Sequence, residues 1–92
     1  METARTLTVN NACKAASARG NAALYEGRDA SGAGTAFSLA ANAYQDATTA
    51  ASTGNLSLAV ALQSVGAAWR NEALSRHYGK ERCIDLMLFY ST

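Results

Sequence analysis

Hydrophobic residues recur at intervals of three and four through the middle of the chain, the spacing that lines one face of an α-helix. The pattern is clearest between Thr35 and Gly54. There the predicted buried face consists of Phe37, Ala40, Ala41, Tyr44, Ala47, Thr48 and Ala51. Thr35 is expected to cap this second helix at its N-terminus, and Gly54 to end it in a left-handed conformation.

A third helix is predicted to begin after Asn55, which would cap it, and to stop at Gly79. One face of this helix is marked by Leu58, Leu62, Val65, Trp69, Glu72 or Ala73, and Arg76. Because large apolar side chains dominate the face, it is expected to fill most of the core.

The first stretch is less regular than the next two. Leu7 and Val9 alternate with threonines as in a strand, so residues 1–10 are predicted to form an extended lead-in. Asn10 or Asn11 would then cap a helix that runs to Glu26. Its predicted packing face contains Ala12, Cys13, Ala16, Gly20, Ala23 and Leu24. These side chains are mostly small, so they would allow another helix to approach closely.

The chain ends in the apolar stretch CIDLMLFYST. Residues 80–90 are predicted to form a shorter fourth helix, but a strand over residues 84–90 is the alternative because a short apolar run has no decisive period. Phe89 and Tyr90 extend the apolar surface beyond one helix face. They are therefore candidates for contact with another molecule.

Composition favours one helical domain. The chain has 92 residues, of which 21 are alanine and none is proline. Alanine has the lowest free-energy cost in a helix, and this length suits a single core. The predicted fold is all-α: a small antiparallel bundle of three principal helices plus a shorter C-terminal helix, in a single domain over residues 1–92.

The net charge is only +1, so no overall field draws the chain to nucleic acid and little repulsion separates two copies. The exception is a local cluster near the end of the third helix: Arg70, Arg76, His77, Lys80 and Arg82. Such a cluster could bind nucleic-acid phosphates or an acidic protein surface. The alternative is an ordinary solvated face whose charge Glu72 and Glu81 partly offset.

No residue pattern indicates catalysis, a metal site or a cofactor. The only histidine, His77, precedes Cys83 and Asp85 at a spacing that matches no known metal motif. The glycine-rich segment from Ser31 to Thr35 could hold an anion through its N–H groups, but it lacks the lysine of a phosphate-binding loop and is expected to be a connector.

Cys13 and Cys83 are expected to be buried free thiols, with a disulfide between them as the alternative. No stretch is as long and apolar as a signal peptide or a membrane span requires. The expected location is the cytoplasm, without a membrane partner.

The absence of catalytic patterns and the apolar tail together favour a non-enzymatic protein-interaction module. It could be an adaptor, an assembly subunit or a small stoichiometric inhibitor such as a phage-type antagonist. The predicted partner-binding residues are Trp69, Arg70, Arg76, His77, Lys80, Arg82, Phe89 and Tyr90. The partner would be a protein, including a second copy of the chain, and nucleic-acid binding through the basic cluster is the second candidate.

Overall fold

The computed structural model describes residues 3–76, which form three α-helices: α1 (Ala4–Ala23), α2 (Ala33–Ser52) and α3 (Leu56–Arg76). Within this range there is no strand, so the all-helical prediction is confirmed. The helix predicted over residues 80–90 and its strand alternative lie outside the described residues. Helix α2 is central: it packs along both α1 and α3, whereas α1 and α3 contact each other little.

Helix α1 begins much earlier than predicted, so the extended lead-in is wrong for residues 4–10. Thr3 has extended backbone angles, and its hydroxyl accepts a 3.1 Å hydrogen bond from the backbone N–H of Thr6. This is an N-cap, which satisfies one of the free donors of the first turn. The hydroxyl of Thr8 donates to the carbonyl of Ala4, so its polar group is also satisfied within the helix.

The predicted packing face of α1 is also wrong. Of its six residues, only Cys13 is partly buried; Ala12, Ala16, Gly20, Ala23 and Leu24 are exposed. The buried residues are Thr6, Leu7, Asn10, Asn11, Ala15, Ser17, Ala18 and Asn21. Five of these eight are polar, so hydrophobic periodicity does not reveal the face that packs.

Helix α2 has the predicted buried face. Phe37 and Tyr44 are fully buried at its centre, and alanines surround them. Gly54, with a φ of 87°, follows the helix in the left-handed conformation that glycine adopts without strain. The predicted face and C-terminal end are therefore confirmed.

The start of α2 differs from prediction: Gly32 is the N-cap residue, and the side chain that binds the free N–H groups of the first turn is that of Asp29, not Thr35. The Asp29 carboxylate accepts hydrogen bonds from the N–H of Gly34 at 2.8 Å and from the N–H of Thr35 at 2.9 Å. The hydroxyl of Thr35 also donates to it, at 2.8 Å. These bonds, led by the one from Gly34, lower the pKa of Asp29 below its ordinary value. The anion position considered for this segment is thus occupied by the protein's own carboxylate.

Helix α3 packs through its small residues. Its buried residues are Ala59, Gly66 and Ala73, each seven positions after the last. They meet α2 at three levels: Ala59 clusters with Ala51, Gly66 lies against the ring of Tyr44, and Ala73 clusters with Phe37. Residue numbers rise along α3 as they fall along α2, so the two helices are antiparallel. The N-cap predicted at Asn55 is present, since its Oδ1 accepts a hydrogen bond from Leu58 N–H at 3.3 Å.

The prediction that large residues of α3 fill the core is wrong. Leu58, Val65 and Trp69 are exposed, and so are Glu72 and Arg76. Of the predicted face, only Ala73 is fully buried, and Leu62 packs against a core cluster while partly exposed. Phe37 and Tyr44 already fill the space between α2 and α3. Close packing leaves room only for small residues of α3 opposite them.

Cys13 is disulfide-bonded, so the expectation of a free thiol at this position is wrong. Cys83, the other cysteine of the sequence, lies outside the described residues. Disulfides are rare in reducing compartments, so this bond gives no support to the cytoplasmic expectation. Among the described helices, none combines the length and apolar character needed to cross a membrane.

Candidate protein-interaction surface

Four apolar residues form a row along α3 that neither α1 nor α2 covers fully. The row consists of Leu58, Leu62, Val65 and Trp69 and is called the apolar seam below. Leu58 is 47% exposed, Val65 46% and Trp69 38%, while Leu62 is partly buried. The intervals of four, three and four are those of the a and d positions of a heptad, whose usual neighbour is another helix.

The local structure explains why the apolar seam stays outside. Gly66 is buried against Tyr44 so closely that an added Cβ would lie 2.8 Å from the ring carbons. With Ala59 and Ala73 one heptad on either side, this small-residue row fixes how α3 is rotated on α2. Because the apolar seam lies beside that row and not on it, its larger side chains point past α2 towards solvent.

The opposite flank of α3 is also apolar in places. Leu56, Val60 and Leu74 are exposed there, and sequence reasoning did not single them out. Gln63 lies on the same side, where its Oε1 accepts a 2.9 Å hydrogen bond from the Nδ2 of Asn11 in α1. The apolar seam therefore faces away from α1. The recurrence of Leu56, Val60 and Leu74 at helical spacing is the signal that could have revealed the second flank.

The two ends of the apolar seam carry different polar groups. At the end near Leu58 and Leu62, a shallow depression is completed by residues of α2, including Asp46 and Thr49. At the other end, Trp69 lines a second depression with Glu72 and Arg76. An arginine with its carboxylate partner thus flanks the Trp69 end. Asp46 follows Tyr44 by two residues in α2, and because Tyr44 lies against Gly66, Asp46 is level with the middle of the seam.

Arg76 is held in place by two neighbours. Its Nη2 lies 2.7 Å from Oε1 of Glu72, and its Nε donates to the same oxygen at 2.9 Å. Its Nη1 donates to the backbone carbonyl of Ser31 at 3.2 Å. An exposed ion pair of this kind adds little stability. Its consequence is positional, since it keeps the guanidinium beside Trp69.

The structure brings together only part of the predicted binding set. Trp69 and Arg76 line the same depression. Arg70 is partly buried, and because Arg76 follows it by six residues, the two arginines lie about 120° apart around the helix. Within the described part of the chain, the arginines therefore do not form a continuous basic patch. The other predicted residues, His77, Lys80, Arg82, Phe89 and Tyr90, lie outside the described residues.

The sequence analysis placed all four residues of the apolar seam on the face expected to fill the core, and it placed Trp69 among the contact residues as well. The spacing of the four residues is as predicted. Leu62 packs against a core cluster but is only partly buried, and the other three are exposed. Among residues 3–76, no three His, Cys, Asp or Glu side chains are grouped as a metal site would require. No family model, curated protein or solved structure matches this chain.

Proposed function

We propose that this protein is a non-enzymatic interaction module that acts by stoichiometric binding through the apolar seam of α3. One observation carries the proposal: α3 turns its small residues inward and leaves Leu58, Val65 and Trp69 substantially exposed. A soluble domain usually places such side chains in its core. A continuous exposed apolar row is typical of a surface that a partner covers.

The composition of the seam suits a protein partner. Covering apolar surface contributes about 25 cal/mol per Å² of buried area, and Leu58, Val65 and Trp69 all have area to bury. Tryptophan and arginine are enriched among the residues that dominate binding energy, and Trp69 and Arg76 share one end of the seam. The module would serve as an adaptor, an assembly subunit or a small inhibitor that occludes a larger surface.

Nucleic-acid binding remains the second candidate from the sequence, and the described residues favour it less. Arg76 already contacts Glu72 and the carbonyl of Ser31, and Arg70 lies on another side of α3. Phosphate recognition needs several cations on one surface. A protein partner agrees better with this distribution of charge.

The test is site-specific photo-crosslinking in the native cell, with a photoreactive amino acid at Val65 or at Val60. These two valines are 46% and 43% exposed on the same helix, but about 140° apart around its axis. Adducts to protein at position 65, and far fewer at position 60, are expected. Equal labelling at both positions, or none at position 65, would reject the apolar seam as the binding surface.

A further inference from the structure

We infer that the partner of Cys13 is Cys83, and that this disulfide fixes the C-terminal segment, residues 77–92, against a polar side of α1. Cys13 is disulfide-bonded, and the chain contains one other cysteine. A bond within the chain can therefore join Cys13 only to Cys83. The inference is independent of the proposed function, because it concerns α1 and not the apolar seam.

Closing this bond is a two-electron oxidation. The two thiols of the protein lose two protons and two electrons as the bond between their sulfurs forms. A small-molecule disulfide accepts these electrons and protons and becomes two thiols. The bond therefore forms in oxidising surroundings and is opened by thiol reductants.

Helix α1 is buried over a wider arc than α2 alone would cover. Its members of the core clusters shared with α2 are Leu7, Ala15, Ala18 and Ala22. These four residues lie within an arc of about 80° around the helix. Outside this arc lie four further buried residues, called the polar row below: Thr6, Asn10, Ser17 and Asn21.

Together the two groups span about 180° of α1, whereas one neighbouring helix usually covers roughly 100°. Helix α3 contacts α1 little, so it does not account for the difference. A further segment of the chain is needed to cover the polar row.

Cys13 places that segment. It is partly buried and lies at the edge of the polar row, about 20° from Thr6 and 40° from Ser17 around the helix. Asn11, which binds Gln63 of α3, lies about 160° from Cys13. A segment bonded to Cys13 is therefore beside the polar row and not beside Asn11.

The length of chain between α3 and Cys83 suits this placement. Ala22 packs against the cluster that contains Ala73, so α1 and α3 end at the same end of the bundle. Cys13 precedes Ala22 by nine residues, which is about 14 Å back along α1. Residues 77–83 can span at most about 25 Å, so the chain has to turn back directly after Arg76 to reach Cys13.

The apolar seam stays open in this arrangement. It lies on the side of α3 that faces away from α1, whereas the disulfide holds Cys83 at α1. The chain would thus close its own polar row with residues 77–92 and leave Val65 and Trp69 to a partner.

Peptide mapping without reduction tests the pairing. Trypsin cleaves after Arg5, Lys14 and Arg82, so Cys13 is expected in a peptide of residues 6–14 and Cys83 in one of residues 83–92. The monomeric protein should yield these two peptides joined, and a reductant should separate them. Two copies of the Cys13 peptide joined together, or a Cys13 peptide joined to any other thiol, would overturn the pairing.

Nuclear Overhauser contacts in the oxidised chain test the placement. Protons of residues 77–92 should show contacts with Ser17 and with the methyl group of Thr6. Ala16 is the matched control, because it is the exposed neighbour of Ser17 and should show none. Contacts with Leu58 and Val65 in their place, or none with the polar row, would contradict the placement.

Reduction measures what the bond contributes. Excess dithiothreitol converts the protein disulfide to two thiols and is itself oxidised to a cyclic disulfide. Because the bond closes a loop that includes most of the chain, the unfolding temperature should fall by on the order of 10 °C. Combining Cys13→Ser with Cys83→Ser should give the same lower temperature with or without reductant. A wild-type unfolding temperature that reduction leaves unchanged would exclude the tie between the two segments.

Discussion

Helices α2 and α3 are nearly equal in length, with 20 and 21 residues, but they use their side chains in opposite ways. Helix α2 has eleven buried residues, including Phe37 and Tyr44. Helix α3 has three, and all are alanine or glycine. The largest apolar residue of α3, Trp69, is partly exposed to solvent.

The difference shows that a helix can pack closely without burying its large residues. One aromatic side chain from α2 fills each of two levels of the core, and the neighbouring helix has only to leave room for it. The large residues of α3 are then free to form a second surface. Stability is thus expected to depend on α2, and binding on α3.

The largest expected effect contrasts Phe37 with Trp69. Phe37→Ala should lower the free energy of unfolding by about 3 to 5 kcal/mol, because it removes a fully buried ring. Trp69→Ala should change it by at most about 1 kcal/mol at concentrations where the chain is monomeric. Urea unfolding in dilute solution measures both values. A loss for Trp69→Ala as large as that for Phe37→Ala would contradict the division between the helices.

The next effect concerns the contact between Gly66 and Tyr44. A methyl group on Gly66 would overlap the ring, so Gly66→Ala should destabilise the fold by about 1 to 3 kcal/mol despite the higher helix propensity of alanine.

Gly20→Ala is the matched control, since nothing lies within 4 Å of the added methyl group in α1. This change should stabilise the fold by up to about 1 kcal/mol. Urea unfolding measures both changes in the free energy of unfolding. If Gly66→Ala stabilised the fold as Gly20→Ala does, α3 would not lie as close to α2 as described.

The smallest effect compares how the two helices begin. Asp29 caps α2 with a carboxylate, whereas Asn55 caps α3 with an amide. The pKa of Asp29 is lowered in the folded state, so its contribution is complete well above the ordinary value of about 3.9 and is lost as pH falls through the lower folded-state pKa. Asp29→Asn should therefore lower the unfolding temperature by a few degrees at neutral pH, and the difference from wild type should vanish in acid.

Asn55→Ala is the control for this titration, because an amide does not ionise in this range. Its cost should be about 0.5 kcal/mol and should not change over the same acidic range. Thermal unfolding of both variants as a function of pH provides the comparison. A pH-independent deficit for Asp29→Asn would show that the charge of the carboxylate is not what stabilises the start of α2.

The buried face of α2 was predictable because its apolar residues lie on one side of the helix. Its C-terminal end was predictable because Gly54 follows it and Asn55 starts the next helix. Prediction failed for α1 because five of the eight buried residues there are polar and because Thr3 starts the helix before the alternating segment. For α3 the sequence predicted the spacing of the large apolar residues correctly but placed them on the face that packs against α2. Ala59, Gly66 and Ala73 carry little hydrophobic signal, so only the position of Tyr44 shows that they face the core.

Part of the candidate surface was predictable from the sequence. Trp69 and Arg76 were chosen from sequence as contact residues, and the structure places them at one end of the apolar seam. Leu58 and Val65 were missed because large apolar residues at helical spacing usually belong to a core.

The most direct test is the fluorescence of Trp69, the single tryptophan of the chain. Because Trp69 lies within the seam and is partly exposed, its emission in dilute solution should have the long wavelength of a ring in contact with water, and a small neutral quencher should reduce it strongly in the folded chain. Emission at the short wavelength of a buried ring, with quenching that becomes strong only after unfolding in urea, would contradict the account.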